Sequence, residues 1–338
     1  MFKRLSALFL SLAFAICFSA GGCGKHAEGP VSRSTRPSRT AATVPSGTTA
    51  ASSSAATGGR ESGPLFWEVN TKDGDGRLYV LGSIHVADDS AYPLRKPITD
   101  AFSSSDALAV EADIVTFESD LSAQIKCIKE IMYLDGTTIA DHVPKEIYDG
   151  AVALLKKHNL YMQQYDYYKP VLWTSMMDNI IVGMTGLDPN KGIDRYFLDR
   201  AKKEGKEILE VESAFFQYQM LGAFSDGLQS YMLQSYVEDT KLEEQAEELK
   251  ALYADWKAGK PVGEYSKPDA DLSEEETAWQ LEYNQAMLID RNRGMANKAL
   301  EYLRSGQTVF FVVGAAHMTG DDGVVALLRE KGCRVTQI

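Results

Sequence analysis

The sequence has few of the residues and motifs on which several common kinds of site depend. Its 338 residues include four cysteines and five histidines but no Cys-x-x-Cys pair, which argues against a thiolate zinc site. Its 35 lysines and arginines are outnumbered by 47 acids, and the net charge of −12 argues against nucleic acid as the partner. No Gly-x-Ser-x-Gly elbow, Walker loop or dinucleotide fingerprint occurs. None of these motifs therefore competes for the role of active centre.

The four cysteines do not form a disulfide framework. Cys17 falls in a leader segment and Cys23 in a lipidation motif, which leaves Cys127 and Cys333. These two can pair in an oxidising compartment or remain separate buried thiols, and the sequence leaves both alternatives open.

Residues 1–22 have the pattern of an export signal. Two basic residues near the start precede an almost unbroken apolar run over residues 5–18, which is too short for a convincing transmembrane helix. The Ala-Gly-Gly before Cys23 resembles a bacterial lipoprotein box, which predicts that Cys23 is the lipidated first residue of the mature chain. We therefore expect an exported protein anchored by lipid to a membrane of the cell envelope, with plain secretion as the alternative. Which membrane holds it is left open.

The rest of the chain divides into a linker and one domain. Residues 23–62 are crowded with Ser, Thr, Ala, Pro and Gly and lack apolar periodicity, which predicts a disordered linker that cannot bury a core. Residues 63–338 contain no second low-complexity break and no repeat. With 44% hydrophobic and 24% charged residues, the composition is that of an ordinary soluble globular protein.

Apolar runs alternate with stretches of helical spacing along this domain. Two strand-like runs around a Gly-rich turn predict a β-hairpin, and strand–helix–strand units follow. The sequence therefore predicts an α/β (α+β) fold: a central mixed, largely parallel sheet flanked by helices, with a helical insertion between its two halves. The predicted strands cover residues 65–69, 77–81, 107–113, 208–213, 308–313 and 334–338. The predicted helices cover residues 94–102, most of 114–182, 192–204, 214–259, 277–305 and 323–331. Pro93 is predicted to lie in the first turn of the first helix. Leu281 and Leu288 are predicted to point inward from the long helix over residues 277–305.

Two of these strands end in the same motif. Gly82-Ser83-Ile84-His85 follows the second strand, and Gly314-Ala315-Ala316-His317 follows the strand over residues 308–313. Ligands of open α/β sheets collect outside the carboxyl ends of the strands, where a glycine permits close backbone approach. The sequence therefore predicts that His85 and His317 share one active centre.

Two glutamates also follow predicted strands. Glu111 ends the strand that begins at residue 107, which we expect to lie next to the strand leading to His85, and Glu212 ends the strand over residues 208–213. Two imidazoles with one or two carboxylates are a ligand set for a first-row divalent ion with open positions. One acid can complete a metal site with His85 and His317, and the other can act as general base, which leaves two assignments open. Arg291 can stabilise developing oxyanion charge.

The whole domain resembles the TraB/GumN family, which includes the Tiki metalloproteases. The resemblance rests on the order of Gly82-Ser83-Ile84-His85, Glu111, Gly192-Ile193-Asp194, Glu212, Asp290-Arg291-Asn292 and Gly314-Ala315-Ala316-His317. It implies a divalent metal, typically manganese or cobalt with zinc as a third option, and hydrolysis of peptide bonds that depends on both histidines and on an acid matching Glu111. It also implies kinship with erythromycin-esterase-like and ChaN-like folds. Asp290 departs from the pattern, since relatives often have Glu there.

Three functions remain open on the sequence alone. The first is an envelope-tethered, metal-dependent hydrolase, a peptidase by resemblance, whose substrate is a peptide or a small molecule. The second is a metal-independent hydrolase with a histidine as general base. The third is a protein without catalysis that sequesters a peptide or haem, for which His and Tyr are suitable iron ligands. The sequence names neither the oligomeric state nor the substrate.

Overall fold

The computed structural model describes residues 63–71, 76–263 and 271–338. The predicted signal peptide, the lipidation site at Cys23, the linker over residues 23–62 and most of the hairpin turn lie outside these residues. They stay predictions. Within the described residues, no helix has the length and apolar character needed to cross a membrane. Cys127 and Cys333 are both free thiols, so the alternative without a disulfide is the one observed.

A six-stranded mixed sheet forms the centre of the domain, as the sequence predicts. Its order is β4-β3-β5-β2-β1-β6, with β4, β3, β5 and β2 parallel and the hairpin strand β1 antiparallel to both of its neighbours. The strands are Phe66–Asn70 (β1), Arg77–Ser83 (β2), Ala107–Val110 (β3), Glu207–Glu210 (β4), Thr308–Gly314 (β5) and Arg334–Gln337 (β6).

The sequence predicts that the strands leading to His85 and to Glu111 lie next to each other in the sheet, and this prediction is wrong. β5 lies between β2 and β3, pairing Leu81 with Val312 on one side and Val110 with Val312 on the other. The reason is that β5 contains five consecutive large apolar residues, 309–313, which are fully buried on both faces. Such a strand is most stable in the middle of a parallel sheet, where helices cover both sides. The strand that delivers His317 therefore stands between those that deliver His85 and Glu111.

Helices cover both faces of the sheet, and two groups of them are inserted after β3 and after β4. The helices are Lys96–Ser104 (α1), Ile114–Phe117 (α2), Leu121–Glu130 (α3), Ile139–His142 (α4), Lys145–Lys157 (α5), Pro170–Thr185 (α6), Ile193–Glu204 (α7), Ala214–Gly222 (α8), Asp226–Gln234 (α9), Asp239–Lys257 (α10), Glu274–Asn284 (α11), Asp290–Arg304 (α12) and Val324–Glu330 (α13). Pro97 occupies the first turn of α1, rather than Pro93, which precedes the helix.

The core has one part on each face of the sheet. Along β5, Phe310 and Val312 pack with the inserted helices, while Phe311 and Val313 pack with α12 and α13. This division follows from the strand geometry, since successive side chains point to opposite faces. The inserted helices other than α12 therefore lie over one face of the sheet and reach the carboxyl edge of its parallel strands.

A π-helical turn joins α11 to α12 and explains one incorrect prediction. Regular helical spacing places Leu281 on the same face as Leu288, but Leu281 is 46% exposed, whereas Leu288 is buried. The turn, Gln285–Ile289, has i→i+5 hydrogen bonds and therefore more residues per turn than an α-helix, which shifts the phase of the residues before it. The side chains of Met287 and Leu288 are buried within this turn.

Asp178 on α6 is a buried acid in the core of the inserted helices. It accepts a hydrogen bond of 2.9 Å from the Tyr236 hydroxyl. Burial raises the pKa of Asp178 to about 7, although the bond from Tyr236 opposes the shift. Because the pKa of this acid is higher in the folded than in the unfolded state, the free energy of unfolding falls as pH rises between the two pKa values. Its ionisation costs about 1.4 kcal/mol per pH unit, or on the order of 4 kcal/mol between pH 4 and pH 7.

We therefore expect Asp178→Asn to be more stable than the wild type at pH 8, by an amount that shrinks towards zero near pH 4.5. The asparagine keeps an acceptor for Tyr236 and cannot ionise. Urea denaturation of both proteins across this range measures the difference. Asp149→Asn is the matched control, since Asp149 is exposed and paired with Lys145, and its difference from the wild type should vary little with pH. An equal effect of Asp178→Asn at pH 4.5 and pH 8 would contradict the assignment.

Candidate functional site

The predicted site residues meet at the carboxyl edge of the parallel strands. His85 follows β2, Glu111 follows β3, Glu212 follows β4 and His317 follows β5. Between the two acids, the Glu212 N–H donates to the Glu111 carbonyl oxygen at 2.9 Å, which extends the pairing of β3 and β4 past the strand ends. The four side chains therefore come from neighbouring strands at one edge of the sheet.

Gly314 lies at the centre of three of these side chains. Its N–H donates to Glu111 Oε1 at 2.6 Å. A Cβ atom added to Gly314 would lie 3.2 Å from that oxygen, 3.5 Å from His317 Cδ2 and 3.8 Å from His85 Nε2. The glycine thus keeps open a small space that two imidazoles and one carboxylate surround.

His85 is held by an acid on α7. Its Nδ1 lies 2.7 Å from Asp194 Oδ2, and the Ser83 hydroxyl donates to Asp194 Oδ1 at 2.7 Å. Burial would lower the pKa of His85, but the Asp194 carboxylate outweighs it and raises this pKa to about 9. Because Nδ1 of His85 pairs with Asp194, Nε2 is the ring nitrogen that can take part in the site. Among the described residues, His85 Nε2 has no hydrogen-bond partner although it is buried.

The start of α7 is fixed against the His85 backbone. The Ile193 N–H donates to the Ile84 carbonyl oxygen at 2.9 Å. A Cβ atom on Gly192 would lie 2.3 Å from the His85 carbonyl oxygen, so only glycine allows this approach. The Gly192-Ile193-Asp194 stretch therefore serves to bring Asp194 to His85, a role that the sequence did not reveal.

His317 is held in the same way by an amide on α12. Asn292 Nδ2 donates to the Asp322 carbonyl oxygen at 2.9 Å, so Asn292 Oδ1 faces His317 Nδ1 at 2.6 Å as an acceptor. His317 therefore carries its proton on Nδ1, and Nε2 keeps a lone pair, 4.0 Å from Glu111 Oε1. Burial and the Arg291 guanidinium lower the pKa of His317 well below its usual value, so the ring is neutral.

Arg291 joins the two glutamates. Its Nη2 donates to Glu111 Oε2 at 2.6 Å and to Glu212 Oε2 at 2.9 Å, and its Nε donates to Glu212 Oε1 at 2.9 Å. The side chains of all three residues are at least nine-tenths buried. Arg291 Nη1 has no acceptor among the described residues. The guanidinium thus bonds to both acids, offsetting one of their two negative charges, and retains an N–H pair on Nη1 without an acceptor among the described residues.

Gln217 on α8 completes this cluster and was not foreseen from the sequence. Its Nε2 donates to Glu212 Oε2 at 2.9 Å and to Glu111 Oε2 at 3.2 Å, and the residue is buried. A signal was present, because Gln217 is the one polar residue in the run Ala214-Phe215-Phe216-Gln217-Tyr218. A polar side chain inside a buried apolar segment needs a partner.

Replacing Gln217 with glutamate should therefore destabilise the domain at pH 8 by several kcal/mol and much less at pH 5. The variant adds a third carboxylate beside Glu111 and Glu212 in place of a donor to both, and protonation relieves the repulsion. Thermal unfolding at the two pH values measures the effect. Gln229→Glu is the control for burial alone, since Gln229 is buried and its Nε2 donates to the Phe224 carbonyl oxygen. A pH dependence of equal size in both variants would argue against the carboxylate cluster.

A cavity of about 640 Å³, part of which is open to solvent, reaches this cluster. His85, His317 and Arg291 form its polar end, and the remaining lining comes mainly from α10 and from the segment around the π-helical turn. Both histidines therefore lie at the end of a cavity that a small molecule, or the side chain of a larger one, can enter.

The donor set has the chemistry of a divalent-metal site, although its atoms are not arranged as a closed coordination shell. Among the described residues, no group of three or more His, Cys, Asp or Glu side chains is arranged to hold a metal ion. His85 Nε2 is nevertheless a buried nitrogen without a partner, and His317 Nε2 carries a lone pair close to Glu111 Oε1. Two imidazoles, each oriented by an acceptor at its other nitrogen, are typical ligands of first-row metals.

Some residues singled out in the sequence lie elsewhere. Asp290 is exposed and accepts a hydrogen bond from Gln285, so its departure from Glu does not affect the cluster. His142 lies outside the cluster, where it stacks on Tyr133 and pairs with Asp226.

Comparison with known proteins identifies one family. The model of the TraB/PrgY/gumN family matches residues 65–337, which include every residue of the cluster. Neither curated proteins nor solved structures yield a match to the chain.

Proposed function

Because the chain belongs to the TraB/PrgY/gumN family, we propose that it is a divalent-metal-dependent hydrolase that cleaves peptide bonds. The observation that carries the proposal is the pairing of the two histidines. Each has its Nδ1 beside an acceptor, Asp194 or Asn292, and each ring faces the space beside Gly314, His85 through Nε2 and His317 through its Cδ2 edge. Such an arrangement fixes the tautomer and orientation of a metal ligand.

In this proposal His85, His317 and Glu111 are the residues that hold the ion. Bound there, manganese, cobalt or zinc would supply Lewis acidity and a nucleophile derived from water near neutral pH. Glu111 is favoured over Glu212 as the third ligand because Glu111 Oε1 lies beside Gly314 and His317. The oxygens of Glu212 accept from Arg291 and Gln217, so Glu212 serves to hold the guanidinium in place.

Arg291 contributes the electrostatic part of the reaction. Its Nη1 is buried, has no acceptor among the described residues and belongs to a side chain that lines the cavity. The N–H groups on Nη1 can donate to a carbonyl oxygen as negative charge develops there. A donor that is already in place needs no reorganisation during the reaction, and removal of one such donor typically costs about a hundredfold to a thousandfold in rate.

Metal content and chelation test this function. We expect the purified full-length chain to contain Mn²⁺, Co²⁺ or Zn²⁺ in stoichiometric amount, and to lose hydrolysis of a peptide pool after treatment with EDTA. Addition of Mn²⁺ should restore it. A metal-free protein that retains full activity after chelation would overturn the proposal. The predicted lipid on Cys23 would hold the enzyme at the cell envelope, and partition of the chain between membrane and soluble fractions checks that part.

A mechanism without metal is the second candidate, and the His85–Asp194 pair is the observation that favours it. With a pKa of about 9, His85 carries a proton at neutral pH and can act as a general acid. This mechanism predicts that activity survives chelation. Sequestration of a peptide or haem in the same cavity is the remaining alternative, and it predicts saturable binding without any turnover.

A further inference from the structure

The wall of the cavity opposite the histidines is apolar. Beyond its polar end, the lining is supplied mainly by α10 and by the residues around the π-helical turn, namely Leu249, Leu252, Trp256, Tyr283, Met287 and Leu288. Among the described residues that line the cavity, only His85, His317 and Arg291 can carry a charge, and no carboxylate does so. A charged group entering this part of the cavity would lose its hydration and gain no partner there.

The wall is built at a fixed position relative to the reactive groups. The Trp256 indole N–H donates to the Gly82 carbonyl oxygen at 2.9 Å, three residues before His85. Trp256, Leu249 and Met287 are buried, so their packing is set by the core rather than by solvent. The helix that carries the apolar wall is thus bonded directly to the strand that delivers the first histidine.

Leu252 differs from the rest of the wall because it is only partly buried. It lines the cavity from α10 without belonging to the fully buried core. A change at Leu252 should therefore alter the chemistry of the cavity at a smaller cost in stability than a change at Leu249 or Met287.

We infer that this wall selects substrates with a large apolar side chain next to the bond that is cleaved, and that Leu252 is a residue that determines the preference. The inference rests on the proposed function, in which the carbonyl group lies at His85, His317 and Arg291. A leucine, methionine or phenylalanine side chain would bury its apolar surface against this wall, whereas glycine would bury none there and lysine would bring an unpaired charge. A hydrophobic pocket discriminates about 10-fold to 200-fold for a single methylene, so leucine over glycine should exceed about a hundredfold.

The cleavage preference of the full-length chain tests this directly. Peptides randomised at each position around the cleaved bond are incubated with the protein and Mn²⁺, and mass spectrometry identifies the products. We expect enrichment of leucine, methionine and phenylalanine at one position next to the cleaved bond. Leu252→Glu should reduce that enrichment at least about tenfold and raise lysine and arginine at the same position, because the new carboxylate supplies their missing partner.

Leu300→Glu is the matched control. Leu300 is a partly buried leucine on α12, packed with the core on the other face of the sheet. This variant should keep the wild-type cleavage preference, even where a loss of stability lowers its rate of peptide cleavage. Enrichment of glycine or lysine by the wild type, or an unchanged preference in Leu252→Glu, would overturn the inference.

Binding of amino-acid hydroxamates separates this inference from the proposed function. Isothermal titration with the glycine, lysine, leucine and phenylalanine derivatives should show tighter binding of the last two, and loss of that selectivity in Leu252→Glu. Selective binding without peptide cleavage would refute the hydrolase and support the apolar pocket. Cleavage without selectivity would refute the pocket and support the hydrolase. Neither cleavage nor selective binding would refute both.

Discussion

Replacing either His85 or His317 with alanine should lower metal-dependent hydrolysis at least about a thousandfold, the scale of removing one member of a catalytic group that acts as a unit. Both variants should also fail to retain Mn²⁺ through gel filtration. His85 contributes an Nε2 without a partner and His317 contributes an Nε2 that lies 4.0 Å from Glu111 Oε1, and one imidazole with one carboxylate is a poor divalent site. Metal analysis and peptide hydrolysis by each purified variant give the two readouts.

Two further variants make this test specific. Asp194→Asn leaves His85 in place but weakens the group that orients it, and such changes typically cost about 10-fold to 100-fold in affinity or activity. His142→Ala removes a histidine that also pairs with an aspartate, Asp226, but lies outside the cluster, so it should retain metal and activity. Full activity in His85→Ala or His317→Ala would exclude a site shared by both histidines.

Replacing Arg291 with methionine should destabilise the domain by about 3–5 kcal/mol, the cost of leaving buried charges without their partner. Two carboxylates, Glu111 and Glu212, would then face each other with only Gln217 and the Gly314 N–H as donors. Chemical denaturation at pH 8 measures the loss. Most of it should return in the triple variant Arg291→Met, Glu111→Gln, Glu212→Gln, because no uncompensated charge remains.

Arg200→Met is the control for loss of an arginine ion pair at the surface. Arg200 pairs with Glu204 one turn away on α7, in contact with solvent. Pairs of this kind contribute about 0–1 kcal/mol, and the stacking of the Arg200 guanidinium 4.5 Å from the centre of the Phe102 ring adds about 0.5–1 kcal/mol, so this variant should lose much less stability than Arg291→Met. If Arg291→Met were no less stable than Arg200→Met, the two glutamates would not depend on the guanidinium for neutralisation.

Local patterns in the sequence were sufficient to predict the ends of the strands. His85, Glu111 and His317 each follow an apolar run. Such a run forms a strand, and the residues after it lie at the edge of the sheet regardless of which strands pair with it. The order of the strands depends instead on pairings between distant segments. Nothing near residues 308–314 indicates that this strand separates β2 from β3, so the predicted neighbours were wrong.

The groups that orient the site residues were hidden for the same reason. Gln217 bonds to Glu111 across 106 residues of sequence, and Ser83 bonds to Asp194 across 111. In the sequence, Asp194 and Asn292 were noted only as parts of a family pattern. Their role as acceptors for the imidazole N–H groups of His85 and His317 becomes clear only in the folded structure. The π-helical turn likewise has no marker in its apolar sequence, and the inward position predicted for Leu281 failed because of it.

The central position of β5 also determines the order in which this molecule can fold. The bond from the Gly314 N–H to Glu111 joins residues 203 apart, so the middle of the sheet closes only after a very long loop has been ordered. We expect β4 with β3, and β2 with β1, to pair before β5 joins them, because these pairs close shorter loops. Partial unfolding that released β5 would divide the sheet at the same point and separate His85 from Glu111. In hydrogen exchange, loss of protection along β5 should therefore coincide with loss of the site.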